Sequence, residues 1–174
     1  PGSRYALSRA TEFALFLTLP AAVALMVIAV PLIGVLYERG AFTRADTVPT
    51  ALALAVYGAG LPAFVLQKVL QPLYFAREDT RTPFRFAVLS MFVNAALAIG
   101  LAPLLGFIAA ALGTTLAGWV MTFQLWRGTR GMGEAARADD RLRARLPRVA
   151  GASLILGLFL WGAEWGLSDA LSAH

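Results

Sequence analysis

The fold class of this chain is decided by residues 60–100, which read GLPAFVLQKVLQPLYFAREDTRTPFRFAVLSMFVNAALAIG. Two apolar runs flank the charged octapeptide AREDTRTP at 76–83. A helix needs roughly 20 mainly apolar residues to cross the hydrocarbon core of a bilayer. Neither run alternates apolar and polar residues as a strand would. The segment therefore predicts two membrane-spanning helices joined by a short charged turn.

Similar apolar stretches lie on both sides of this pair, so we expect an all-α, polytopic membrane protein with about five transmembrane helices. The predicted spans cover residues 13–36, 48–75, 84–104, 106–126 and 148–167. This divides the chain into four spans over 1–126, a basic cytoplasmic loop over 127–147, and one further span with a short tail over 148–174. Pro20, Pro31 and Pro62 are expected to kink their helices.

Composition agrees with a bilayer environment. Of the 174 residues, 59% are hydrophobic and only 14% are charged, against about 45–50% and about 25% in an average soluble domain. Cysteine is absent and the single histidine is His174. This excludes disulfides, thiolate metal sites and histidine-based triads, and no constellation of catalytic residues or metal ligands appears. We therefore expect no enzymatic activity and no bound metal.

The distribution of positive residues predicts the orientation of the spans. Two arginines precede the first span, three lie at the second connection and seven in or beside the long loop, whereas the first connection has two and the third none. Positive residues accumulate on the cytoplasmic side of membrane proteins. The start of the chain is therefore expected in the cytoplasm and its end in the periplasm. The net charge of +5 serves this orientation, so no nucleic-acid partner is expected.

Polar residues within the spans are candidates for function. Lys68 and Gln71 continue a helical stripe on the second span and are candidate substrate contacts, although Lys68 has an alternative role as a residue that reaches the interface. Asn94 could offer its amide oxygen to a cation beside a threonine hydroxyl, or it could hold helices together by hydrogen bonding. Arg77, Arg81 and Arg85 flank the second connection, where anionic lipid headgroups attract basic residues.

Two segments carry a resemblance to a known family. They are FALFLTLPAAVALMVIAVPLIGVLYERGAFTRADT at 13–47 and GLPAFVLQKVLQPLYFAREDTRTP at 60–83, with ERGAF, KVL and YFAREDTRTP as the strongest pieces. Together they resemble the MurJ/MviN lipid II flippases of the multidrug/oligosaccharidyl-lipid/polysaccharide exporter superfamily. The clear resemblance covers about the first 125 residues. It implies that the five spans belong to the second lobe of a two-lobe transporter.

The resemblance also implies a function, namely alternating-access transport of undecaprenyl-linked peptidoglycan precursor across the bacterial inner membrane during cell-wall biogenesis. Anionic phospholipids and the missing N-terminal lobe of the same protein are the implied partners. No cofactor is implied beyond coupling to sodium or to the membrane potential; Asn94 and Thr114 match cation-ligand positions of the family, whereas Ala98 stands where a carboxylate would help. Another exporter of the superfamily and a non-transporting membrane scaffold remain as alternatives. Because the chain begins PGSRY without an initiator methionine or signal peptide, we expect a piece of a larger protein.

Overall fold

The computed structural model describes residues 2–133 and 139–172, with side chains over 5–133 and 139–166. The described residues form six α-helices and one short 3-10 turn, Arg130–Met132. The helices are α1 (Gly2–Val27), α2 (Ala29–Tyr37), α3 (Arg44–Phe75), α4 (Arg81–Leu105), α5 (Ile108–Thr129) and α6 (Asp140–Ser172). Five helical segments are long and apolar enough to cross a membrane, in α1, α3, α4, α5 and α6. The all-α, five-span prediction is confirmed.

The first predicted span is two helices, because the chain breaks at Ile28. Pro31 has no N–H to donate to the carbonyl of Val27, and its ring crowds that carbonyl. The residues on either side keep their bonds: Ile28 N donates to Ala24 O at 2.9 Å and Leu32 N to Ile28 O at 3.0 Å. Pro31 therefore interrupts the helix as predicted, whereas Pro20 and Pro62 lie inside helices that continue through them.

Helix bounds around the expected 127–147 loop differ from the prediction. Helix α5 continues to Thr129, and α6 begins at Asp140, so much of the expected loop is helical. The start of α6 is capped by Asp139, whose Oδ1 accepts a hydrogen bond from Leu142 N at 2.7 Å. The first turns of α6 are rich in arginine, which makes them too polar for a membrane span, but arginine is a good helix former.

The helices pack side by side in the spatial order α4, α5, α3, α1 and α6, with α2 against α3. Neighbouring ends are joined by polar contacts. Arg77 Nη2, after α3, donates to Met132 O, after α5, at 2.5 Å, and Arg9 Nη2 of α1 pairs with Asp139 Oδ2, before α6, at 2.7 Å. These contacts place the start of α1, the α3–α4 turn, the end of α5 and the start of α6 at one end of the bundle. We call this the basic end.

Small residues fill the interior, and large apolar side chains point outward. Buried apolar positions are mostly alanines, whereas Tyr74 and Leu125 are the large apolar residues that are almost fully buried among those described. Leu104 is 81% exposed and Phe13 is 66% exposed. In water this surface would drive aggregation. In a bilayer it is the lipid-facing surface, and close helix packing then depends on small residues.

The α3–α4 turn is fixed by backbone geometry and hydrogen bonds. Glu78 has a φ of +58°, which reverses the chain, and Asp79 N donates to Tyr74 O at 3.1 Å to close the end of α3. Asp79 Oδ1 accepts a hydrogen bond from Thr82 N at 3.0 Å, and Pro83 lies in the first turn of α4. The Asp79 side chain therefore caps the start of α4. Hydrogen bonding to Thr82 holds the pKa of the Asp79 carboxyl below its ordinary value.

We expect Asp79→Ala to lower the melting temperature of the protein in detergent, because it removes the acceptor for Thr82 N. A lowered pKa means that the ionised carboxylate stabilises the fold above the ordinary pKa of 3.8, and that this stabilisation is lost as the pH falls through the lowered pKa. The gap between parent and variant should therefore close as the pH falls from about 5 to about 2. Asp140→Ala is the matched control, because this exposed carboxylate has no hydrogen-bond partner among the described residues. An equal loss in both variants would contradict the capping role.

Candidate functional site

The bundle is organised around a polar interface between α3 and α5. Three side chains of α5 donate hydrogen bonds to backbone carbonyls of α3. They are Thr115 Oγ1 to Val56 O at 2.9 Å, Trp119 Nε1 to Ala59 O at 3.1 Å and Thr122 Oγ1 to Ala63 O at 2.9 Å. Gln67 Nε2 donates in the opposite direction, to Gly118 O at 2.8 Å. The order of these partners shows that α3 and α5 run parallel, and we call this set of contacts the α3–α5 seam.

Glycines of α5 allow α4 and α3 to approach closely. A Cβ on Gly113 would lie 2.9 Å from the backbone oxygen of Asn94 and 2.7 Å from its Oδ1, and a Cβ on Gly118 would lie 2.5 Å from the ring of Phe64. Ser90 of α4 donates to the backbone carbonyl of Ala117. Helices α4 and α3 therefore both contact α5 at its small residues: α4 at Gly113 and Ala117, and α3 at Gly118. This arrangement supports the helix-packing interpretation of Asn94.

Gly113→Ala should destabilise the protein by about 1–3 kcal/mol, because the new methyl group meets backbone atoms that cannot rotate away. Gly100→Ala is the matched control on the neighbouring helix, since a Cβ there meets nothing within 4 Å. The control should be neutral or stabilising by up to about 1 kcal/mol, because alanine favours helices over glycine. Thermal unfolding of both purified variants in one detergent tests the pair. Equal stability of the two variants would contradict close α4–α5 packing.

Lys68 and Gln71 lie on α3 toward the basic end, as the sequence predicts. Lys68 is exposed and Gln71 is half-buried. Neither side chain has a hydrogen bond or ion pair with another residue of the described segments. Phe64, one turn before Lys68, packs on α5, whereas the Lys68 side chain is exposed. Their role as substrate contacts stays a prediction.

Asn94 and Thr114 come from adjacent helices but offer few cation ligands. Asn94 packs against Gly113, whereas the Thr114 hydroxyl donates to Ala110 O of its own helix at 2.9 Å. Hard cations usually take six or more oxygen ligands, commonly including a carboxylate. Neither α4 nor α5 contains an acidic residue, and the described residues include no cluster of three metal-ligating side chains. The pair therefore does not form a cation site by itself, and sodium coupling stays a prediction.

The three arginines at the α3–α4 turn do not share one environment. Arg77 is engaged with Met132 O across the basic end, so it links α3 to the turn after α5. Arg81 and Arg85 are exposed, and the charge of Arg85 contributes to the lowered pKa of Asp79. Arg81 and Arg85 are thus free to meet lipid headgroups, whereas Arg77 has a structural partner. Headgroup contact stays a prediction for all three.

A charged cluster between α1 and α6 was not predicted from the sequence. Glu12 pairs with Arg9 of its own helix, with Arg145 Nη1 of α6 at 2.5 Å and with Arg141 Nε at 3.9 Å. The Asp139 carboxylate adds the second bond to Arg9. We call these residues the α1–α6 cluster. The i, i+3 spacing of Arg9 and Glu12 was the available signal, but it cannot reveal partners that lie more than 100 residues later.

An apolar cavity of about 350 Å³ lies beside this cluster, where α1, α3, α5 and α6 meet. Leu15, Leu70, Trp126 and Leu146 are among its lining residues. Its walls carry no charged side chain. An apolar chain fits such walls, and they hold no acid, base or nucleophile for covalent chemistry other than serine and threonine hydroxyls. The cavity is therefore suited to hold an apolar group by packing.

The sequence profile of the family described as "Lipid II flippase MurJ" matches residues 3–168. The chain belongs to this family. The match includes all or nearly all of the five apolar spans, so the family similarity extends well beyond the first 125 residues in which motifs were recognised. The last span and the arginine-rich start of α6 are part of it.

Individual relatives agree with the family assignment. A probable lipid II flippase MurJ of Rhizobium meliloti is 44% identical over 171 residues, which cover 95% of this chain and 31% of the relative. The protein of the same description from Rhizobium tropici is 50% identical over 119 residues, covering 68% of this chain and 22% of the relative. That of Vibrio cholerae is 35% identical over 163 residues. The chain thus spans at most about a third of the length of these relatives.

A solved structure titled "Lipid II flippase MurJ, inward closed conformation" has the same fold. It superposes with a TM-score of 0.77 at 24% sequence identity, covering 99% of this chain and 40% of the other. The helices found here therefore have the arrangement of a segment of that structure.

Proposed function

We propose that this chain is part of the second lobe of a lipid II flippase, which moves an undecaprenyl-linked peptidoglycan precursor across the bacterial inner membrane for cell-wall biogenesis. The match of the MurJ family profile to residues 3–168 carries this proposal. The remaining length of the relatives would supply the first lobe and the rest of the cavity. Lys68 and Gln71 are the substrate contacts that we propose within this chain.

The contacts within the bundle suit a lobe that moves as one body. Alternating access is largely a rigid-body rocking of one repeat against another around a shared site. The α3–α5 seam binds side chains to backbone carbonyls, which do not change with side-chain rotation, and glycines hold α4 against α5. At the other edge of the bundle, ion pairs join α1 to α6. With these contacts the helices of the lobe tilt together and do not slide past one another.

The basic end of the bundle is proposed to face the cytoplasm, since positive residues accumulate there. The chain has no cysteine, so labelling of one introduced cysteine reports on which side of the membrane that residue lies. Ala41→Cys and Gly131→Cys lie at opposite ends and are both exposed. In intact cells an impermeant thiol reagent that reaches the periplasm should label position 41 and spare position 131. Lysed cells, in which both should react, are the control; labelling of position 131 in intact cells would contradict this orientation.

Function is tested in a chimera, because the chain spans about a third of its relatives. Residues of this chain replace the aligned segment of the Rhizobium meliloti protein, which is then purified and reconstituted with a fluorescent lipid II analogue. The chimera should flip the analogue at a rate within about tenfold of the parent, because family members share a fold. This chain alone should flip nothing above protein-free vesicles, since alternating access needs two lobes.

Two controls separate misfolding from lack of function. The chimera carrying Gly100→Ala should keep its transport rate, and the chimera carrying Gly113→Ala should lose folded protein and transport together. A chimera that inserts and melts like the parent yet moves no lipid II would contradict the proposal. Transport by this chain alone would contradict the two-lobe requirement.

A further inference from the structure

A charged concavity lies at the basic end, between the N-terminal halves of α1 and α6. It has a volume of about 670 Å³. Four arginines and one glutamate contribute to its lining, and they are Arg9, Arg141, Arg145, Arg148 and Glu12. The α1–α6 cluster is thus one wall of an open cavity, and Arg148 extends it by one further cation.

The charges in this cavity are unbalanced. Glu12 is shared among Arg9, Arg141 and Arg145, and Asp139 engages Arg9 from outside the lining. Arg148 is exposed and has no carboxylate partner in the described part of the chain. The buried Nε of Arg9 has no hydrogen-bond acceptor among the described residues. More guanidinium donors therefore converge here than the two carboxylates satisfy, which is the donor excess that a bound anion requires.

Apolar side chains complete the cavity. Phe13, Phe16 and Val149 line it beside the arginines, and Phe13 and Phe16 are 66% and 57% exposed. The arginines lie near the start of two spans, Tyr5–Val27 and Asp140–Gly166. Arginines at the start of a span reach the level of the headgroups, and Phe13 and Phe16 lie one and two turns beyond Arg9 along α1. A cationic rim above an apolar wall is complementary to a lipid with an anionic headgroup.

We propose that this cavity binds the phosphodiester of an anionic phospholipid from the leaflet at the basic end. Arg148 and Arg141 donate to the phosphate oxygens, while an acyl chain lies along Phe13 and Phe16. Glu12 holds the arginines in place and competes with the phosphate for their donors. Binding fastens α6 to α1 at the edge of the lobe. This proposal concerns a resident membrane lipid and does not rest on the transported substrate.

The test uses the delipidated full-length protein and native mass spectrometry, with phosphatidylglycerol and phosphatidylcholine as probes. Phosphatidylglycerol should bind more tightly than phosphatidylcholine, and Arg148→Gln should weaken its binding about fivefold, the effect of one basic residue near an anionic surface. Arg143→Gln is the matched control, because Arg143 is exposed on the same helix but does not line the cavity. It removes the same charge and should leave phosphatidylglycerol binding unchanged.

Glu12→Gln gives a prediction of opposite sign. It removes the carboxylate that Arg141 and Arg145 share, while Arg9 keeps Asp139. Phosphatidylglycerol should therefore bind more tightly than to the parent, whereas a purely structural ion-pair cluster predicts lower stability and no gain in lipid binding. Equal effects of Arg148→Gln and Arg143→Gln would overturn the proposal, even if Glu12→Gln fails to fold. So would binding of inorganic phosphate as tight as that of the lipid, which would show that the acyl chain contributes nothing. Loss of flipping in the chimera, with lipid binding intact, would bear on the proposed function alone.

Discussion

Helix association in this protein depends on the closeness with which α5 approaches two neighbours at once. Lipid tails are as apolar as leucine, so apolar side chains gain little by moving from lipid to another helix. What remains is dispersion between closely packed backbones and hydrogen bonds between helices. Gly113 and Gly118 remove the side chains that would hold α4 and α3 away from α5. Threonine and tryptophan donors then reach carbonyls that a larger separation would leave out of range.

The other edge of the bundle uses charge in place of small residues. Helix α6 packs on α1, and Glu12 together with Asp139 pairs arginines of both helices. Ion pairs at the membrane interface are partly solvated, and such pairs contribute little when isolated. A shared carboxylate among three arginines restrains several long side chains together. The α1–α6 contact is therefore more dependent on ionic conditions than the α3–α5 seam, and it is the contact that an anionic lipid would reinforce.

In the proposed function the lobe must stay intact while it tilts, and the α3–α5 seam serves this requirement through bonds to backbone carbonyls. The open, arginine-rich cavity has a separate role in our second proposal, which is to hold a resident anionic lipid. Asp79 and Pro83 fix the α3–α4 turn, which carries the chain past α5 to α4 at the edge of the bundle.

Local properties of the sequence were sufficient for the spans and the hairpin turn at 76–83, because length and apolarity act within a few residues. They did not single out Pro31 from Pro20 and Pro62 as the proline at which the helix is interrupted. The sequence did not reveal that α6 begins at Asp140, because its first turns are helical without being apolar. Glu12 was overlooked for a different reason: its carboxylate is ordinary until α6 brings Arg141 and Arg145 beside it.

The sequence by itself therefore determined how many helices cross the bilayer, where they turn and which end carries the positive charge. The family motifs in 13–47 and 60–83 added the class of transporter. Only the tertiary structure decided which polar groups meet: Gln67 with the carbonyl of Gly118, Trp119 with that of Ala59, and Arg9 with Asp139. The physical reason is that hydrophobicity and helix propensity are local properties of consecutive residues. Hydrogen bonds and ion pairs between helices depend on the rotation and depth of each helix against its neighbours.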